Sequence, residues 1–273
     1  MKRKDRPGHG DRRGRRRASP DGARACVLVS GGVDSCVLLR ESLRRYGTVQ
    51  PLYVRAGLRW EGIERAALRR FLRGLRHPGL KPLASIQVPM SDLYGRHWSR
   101  TGRGAPGYDD GDASVYIPGR NISLFAKAAT YCALEGIPIL VSGILSANPF
   151  PDGSPDFLRL IQEALSRGLG RRIRIRTPFR SLTKEKVVRR GRDLPLHLTF
   201  SCISPRRARH CGDCCKCKER VDAFLAAGVK DATAYAGGPG AVAAGSAPGS
   251  RPPAGRLRSK TTRQAPNSAT SVR

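Results

Sequence analysis

The stretch Ser30-Gly31-Gly32-Val33-Asp34-Ser35 follows the apolar run Ala25-Cys26-Val27-Leu28-Val29 and leads into a helix-like run from Ser35 to Tyr46. A strand that ends in two glycines and passes directly into a helix reads as a phosphate-binding turn. The missing side chains let backbone amides approach an anion, and the helix adds its unpaired N-terminal amides at the same point. The hydroxyls of Ser30 and Ser35 add further donors. There is no G-x-x-x-x-G-K-[ST] spacing and no lysine follows the glycines, which excludes a Walker-type loop. For these six residues alone, an ordinary strand-to-helix turn with a serine cap is the plain alternative.

Outward from this turn the pattern alternates. Val49 to Val54 reads as a second strand, and Glu61 to Leu75 as a helix with Ile63, Ala66, Ala67, Phe71 and Leu75 at helical spacing. Ala84 to Val88 gives a third strand. Ser91 to Ser114, rich in Gly, Asp and Arg, reads as a long loop of the kind that is functional or mobile. Asn121 to Glu135 is a helix closed by Gly136, and Pro138 to Ser142 a buried-type strand ending at Gly143. Asp156 to Arg167, Thr183 to Arg190 and Lys218 to Ala227 are further helices, and Arg172 to Arg176 is a further strand. Such alternation predicts an α/β fold, a mainly parallel sheet with helices on both faces, whose ligands sit at the carboxyl ends of the strands.

The formal net charge is +30 over 273 residues. Residues 1–24 carry ten Lys/Arg against three Asp and residues 237–273 carry six against none, so the ends hold +13 and the middle +17. Neither end has a periodic apolar pattern, and both read as disordered basic tails. A charge of this size attracts phosphates in general, on nucleotides or on RNA. The run Arg12-Arg13-Gly14-Arg15-Arg16-Arg17 has no interleaved aromatic residue, which reads as weak nucleic-acid attraction rather than a specific RNA site. No segment approaches the ~18 to 20 apolar residues of a membrane helix, and Gly31, Gly32 and Asp34 interrupt any export signal. Eight cysteines without such a signal point to thiols used as thiolates in the cytoplasm.

Cys202, Cys211, Cys214 and Cys217 form C-x8-C-x2-C-x2-C. Four thiolates can close one tetrahedral zinc site, with the short spacings turning successive sulfurs toward one ion and Gly212 easing the knuckle. Cys215 is then the spare sulfur, although an assignment with Cys215 in place of Cys214 is also open. Redox exchange and an iron-sulfur cluster are the rival uses of such thiols. Cys26, Cys36 and Cys132 lie within apolar patterns and read as small core residues.

Ser30 to Ser35 resembles the S-G-G-x-D-S loop of pyrophosphate-loop enzymes, which split ATP between its α and β phosphates to adenylate a substrate. Together with the cysteine knuckle, and over about residues 25 to 236, the chain resembles the 7-cyano-7-deazaguanine synthase family. Tyr116-Ile117-Pro118-Gly119-Arg120-Asn121 is similar to the family's Y-[VI]-P-[AG]-R-N, Phe150-Pro151-Asp152-Gly153 stands where it has Y-P-D-C, and Thr183-Lys184 matches its T-K pair. Thr199 to Cys202 and Cys217 to Arg220 are similar to its terminal segment. The chain departs at Gly153 and Ser154, where the family usually has Cys and Arg.

The resemblance implies a pyrophosphate-loop α/β domain over residues 25–198 and a small zinc-binding helical region over 199–236, between the tails 1–24 and 237–273. It implies ATP on Ser30, Gly31, Gly32, Val33, Asp34 and Ser35, with Mg2+, and Zn2+ on the four cysteines. Asp34, Arg120 and Lys184 are the implied catalytic residues: Asp34 caps its helix or helps hold magnesium, Lys184 reaches the β and γ phosphates, and Arg120 pairs with a phosphate or carboxylate. Arg120, Asn121, Phe150 and Asp152 are the implied substrate contacts. The implied reaction makes the 7-cyano compound from 7-carboxy-7-deazaguanine, ammonia and ATP, toward queuosine-type tRNA bases. Another pyrophosphate-loop enzyme, such as a tRNA thiolase or an amide ligase, is the rival, as is a zinc-containing RNA-binding protein without catalysis. The sequence is compatible with a homo-oligomer, and no general base stands out in it.

Overall fold

The computed structural model describes residues 22–238, so all but the inner ends of the two basic tails lies outside the described residues. Strand β1 (Arg24–Leu28) runs into helix α1 (Val33–Leu43), followed by β2 (Thr48–Arg55), α2 (Glu61–Gly74) and β3 (Ala84–Gln87). Two single-turn helices, α3 (Ser91–Tyr94) and α4 (Trp98–Thr101), then lead to α5 (Arg120–Leu134), β4 (Ile139–Val141), α6 (Pro155–Gly168) and β5 (Arg174–Arg176). Helices α7 (Lys184–Arg190) and α8 (Cys215–Ala227) complete the order.

All five strands are parallel in the order β3-β2-β1-β4-β5, with Cys26 of β1 opposite both Gln50 and Leu140. The sheet grows outward from β1 to β3, then returns to the other side of β1. That reversal leaves a crevice at the carboxyl ends of β1 and β4, where such sheets bind ligands.

Alternation along the strands assigns side chains to two covers. Ala25 and Val27 pack with Val49, Tyr53, Ile139 and Val141 beneath α1, α2, α7 and α8. Cys26, Leu52 and Leu140 face the opposite way, onto Phe125, Ala128 and Cys132 of α5 and Leu158 of α6. Cys26, Cys36 and Cys132 are therefore buried core residues. The outer strand β5 is short and exposes Arg174 and Arg176, which blunts an edge that could otherwise pair with another chain.

Two expectations need revision. Ser91 to Ser114 is not one continuous loop: it contains α3, α4 and the start of a 3-10 turn at Asp112–Val115. Four-residue helices are too short to show a 3.6-residue period. They stop at Gly95 and Gly102, both at positive φ, and α4 is held by Trp98 stacked on Trp60 at 5.8 Å. Helix α2 is also rotated from the face expected. Its buried side is Glu61, Glu64, Ala67, Leu68 and Phe71, whereas Ile63 is only partly covered and Ala66 is exposed. Among the described residues no helix is long and apolar enough to cross a membrane.

Candidate active site and metal centre

Between β1 and α1 the loop is tightly folded. Ser35 Oγ accepts from the amides of Ser30 and Gly31, each at 3.2 Å, and donates to the carbonyl of Gly32 at 3.0 Å. Ser30 Oγ accepts from the Gly32 amide at 3.3 Å. The helical ladder begins with Cys36 N bonding Gly32 O at 3.1 Å, which leaves the amides of Val33, Asp34 and Ser35 outside it. Gly31 has φ +87°, and a Cβ there would lie 2.9 Å from the carbonyl oxygen of Glu64. Only glycine fits.

The loop forms the floor of a cleft of about 390 Å³. Along one wall runs a row of charges from four separate parts of the chain. Lys184 Nζ donates to Asp34 Oδ2 at 2.6 Å and lies 3.3 Å from Glu219 Oε1. The other oxygen of Glu219 contacts Lys216, whose ammonium is 3.9 Å from Asp112 Oδ1. Burial alone would push Lys184 down, but Asp34 and Glu219 outweigh it and hold the ammonium above the usual lysine range. Burial would likewise raise Glu219, and the two lysines instead hold it well below the usual carboxylate range. Asp34 Oδ1 is buried with no partner among the described residues. An orphaned carboxylate oxygen beside the glycine turn and the free amides of α1 is a donor that suits magnesium, which binds through one or two carboxylates plus substrate phosphates.

Arg120 opens α5 and lines the cleft with its Nε buried and unpartnered among the described residues. Asn121 and Phe150 line it too, and Phe150 stacks on Tyr116 at 5.1 Å. Asp152 is arranged differently. It is buried behind Asn121, accepting from Asn121 N at 3.0 Å and Asn121 Nδ2 at 3.1 Å, and it is not among the cleft-lining residues. Its carboxylate fixes the first turn of α5. Beside it, a Cβ on Gly153 would lie 2.7 Å from Asn148 Oδ1, so Asn148 occupies the space a side chain at Gly153 would need.

The β2 side of the cleft contains two carboxylates that sequence reading missed. Glu61 Oε1 accepts from the amides of Ala56 and Gly57 at 2.5 and 2.8 Å, tying α2 to the end of β2. Glu64 Oε2 accepts from the Tyr53 hydroxyl at 2.6 Å. Burial raises Glu64 to about 7, with Glu61 adding to the rise and Tyr53 and Arg120 opposing it. The available signal was Glu64 standing at i, i+4 and i+7 with Leu68 and Phe71 on the buried stripe of an amphipathic helix.

Cys202, Cys211, Cys214 and Cys217 bring four buried sulfurs within 4.8 Å of one another, and Cys215 stands outside the group. Sulfur pairs are 3.5 Å (Cys202 to Cys211), 3.9 Å (Cys202 to Cys214) and 3.8 Å (Cys211 to Cys217) apart. A tetrahedron of thiolates at ~2.3 Å from one ion has edges of about 3.8 Å, so the set fits a single metal. The amides of Cys211 and Gly212 point at Cys202 Sγ and Cys217 Sγ, 3.3 and 3.4 Å away, as expected around thiolates.

A family model described as Queuosine biosynthesis protein QueC matches residues 24–228, from β1 through α8. The chain belongs to this family. The 7-cyano-7-deazaguanine synthase of Anaeromyxobacter dehalogenans (strain 2CP-C) is 32% identical over 243 residues, covering 81% of this chain and 99% of that protein. That of Methanopyrus kandleri is 33% identical, covering 78% and 99%. Among solved structures, the U34-tRNA thiolase NcsA from Methanococcus maripaludis with its 4Fe-4S cluster has a TM-score of 0.44 at 14% identity, covering 71% of this chain and 63% of that one. Membership of the QueC family makes the chain an enzyme, an ATP-dependent ligase of queuosine-type biosynthesis.

Proposed function

We propose that the chain converts a 7-carboxy-7-deazaguanine-type carboxylate to the nitrile with ATP and ammonia. The observation that carries this reading is the cleft itself: the Ser30 to Ser35 turn, the Asp34–Lys184 pair and the unpartnered Nε of Arg120 face one space in a member of the QueC family. In this reading residues 25–198 carry the nucleotide chemistry and residues 199–236 the metal.

A carboxylate resists attack because an oxide would have to leave. Moving AMP from ATP onto its oxygen releases pyrophosphate and creates a leaving group, and ammonia then displaces AMP to give the amide. Activation of the amide oxygen by a second ATP allows loss of AMP and the N–H protons, leaving the nitrile. The free amides of Val33, Asp34 and Ser35 at the α1 N-terminus stabilise the charge on the departing pyrophosphate, with Lys184 beside them, while Gly31 and Gly32 hold the turn that lets it approach. Magnesium on Asp34 would neutralise phosphate charge. Arg120 holds the substrate carboxylate, and Asn121 and Phe150 border the base, with Asp152 acting through Asn121. Glu64 is the group suited to take a proton from ammonium or from the amine after attack. Zinc on the four cysteines is structural, since four protein ligands leave no open position.

The test is mass spectrometry and AMP counting with 7-carboxy-7-deazaguanine, ammonium and Mg-ATP. Nitrile with two AMP per product is expected. No AMP from this mixture, but AMP from tRNA with a sulfur donor, would replace the reading with a thiolase.

A further inference from the structure

We propose that Lys216, carried between two ligands of the cysteine knuckle, is a second phosphate-binding cation, so that the metal centre supplies part of the ATP site. This rests on the reading of the cleft as an ATP site. Lys216 lies in the C-x2-C segment between Cys214 and Cys217, two sulfurs of the cluster, so an ion bound there fixes its backbone from both sides. Its side chain runs out of the knuckle into the cleft, together with Lys184, Asp34, Glu219 and Asp112.

The arrangement of charge selects the ligand. One carboxylate, Glu219, bridges two ammonium groups, and Lys184 is already paired with Asp34. The remaining neighbour of Lys216 is Asp112, 3.9 Å away and half exposed on the segment that precedes α5. Among the described residues Lys216 therefore has one close partner, on its own helix, and it lines the same cleft as Ser30 to Ser35. Asp34 Oδ1, buried and unpartnered among the described residues, offers the metal half of a magnesium-polyphosphate at the other end of the row. A carboxylate-wide gap between two lysines fits neighbouring phosphates, and a triphosphate is long enough to meet both. An adenylated product or a substrate carboxylate carries too little charge to span the row.

Glu219 is the positioning residue. It sets the separation of the two ammonium groups and, being one helical turn from Lys216 on α8, moves with the knuckle. A surface lysine with no ligand would have no such bridge.

The experiment compares wild type, Lys216→Met and Lys216→Arg for zinc content, melting temperature, Mg-ATP binding and pyrophosphate inhibition. For Lys216→Met we expect unchanged zinc and melting temperature, with KM for ATP and the pyrophosphate inhibition constant raised by about 10-fold or more, the scale of a lost charged hydrogen bond. Lys216→Arg should restore most of the affinity. If Lys216→Met fails to fold, Lys216→Gln is measured instead. Unchanged Mg-ATP and pyrophosphate affinities in a folded neutral variant overturn the inference while leaving the ATP reading intact. If wild type itself binds neither Mg-ATP nor pyrophosphate, both fall.

Discussion

Gly31 is constrained twice, by a positive φ and by the Glu64 carbonyl oxygen, which stands 2.9 Å from where a Cβ would be. A Gly31→Ala change adds a left-handed penalty of about 1–2 kcal/mol and forces either the loop or α2 to move. Because phosphate amides work only within a fraction of an ångström of the right geometry, kcat/KM for ATP-dependent pyrophosphate release should fall by about 100-fold or more. Wild-type turnover in a folded Gly31→Ala protein would show that the turn does not hold phosphate. Glu64 makes a second residue-scale prediction. Its folded value of about 7 lies above the ordinary 4.5, so between these limits the folded chain binds more protons than the unfolded chain. Stability contributed by the protonated carboxyl is complete below about 4.5 and is lost as pH rises through 7, a change on the order of 3 kcal/mol. Glu64→Gln should remove that slope from urea unfolding measured at pH 5 and pH 8. Parallel curves for the two proteins would place the ionisation elsewhere, since Tyr53, Glu61 and Arg120 are the groups facing it.

Elements were legible in proportion to their length and periodicity. Strands β1 to β3 and helices α1, α2, α5 and α6 all have four or more residues of clear pattern, the three-residue β4 is flanked by Gly136 and Gly143, and glycines mark several other ends. The α3 and α4 turns had neither, because one helical turn cannot display a period and its stability comes from contacts such as Trp98 on Trp60. At the site, the loop and the cysteines announced themselves because their chemistry requires particular residues at close sequence spacing. Glu64 and Lys216 did not, since each depends on a neighbour far away in the chain: Glu64 on Arg120, and Lys216 on the Glu219–Lys184–Asp34 row. Asp152 illustrates the converse. The family resemblance implied that it touches substrate, whereas in the structure Asn121 from another element donates to both of its oxygens.

At the scale of the molecule, the knuckle and the sheet share their packing. Cys202, Cys211, Cys214 and Cys217 lie in one apolar cluster with Ala56, Leu58 and Trp60 from the end of β2, and with Ile117. Phe224 of α8 packs with α1 and α7 on the sheet itself. Arg220 ties these layers together while fully buried, donating to Thr199 Oγ1 at 2.9 Å, Leu196 O at 2.8 Å and Thr233 Oγ1 at 3.0 Å. Its charge is met by Asp231 at 3.5 Å and by the face of Phe224, so loss of its position would strand a buried cation. A metal that fixes the knuckle should therefore stabilise the sheet as well, unlike an independently folding finger. Chelation is expected to lower the melting temperature of the whole chain in one calorimetric transition and to weaken Mg-ATP binding in parallel, through Lys216 and Glu219. Two well-separated transitions, with ATP affinity unchanged after the metal is removed, would mean that the knuckle is an appendage. The contacts of Arg220 and the row from Asp112 to Asp34 argue that it is one wall of the cleft.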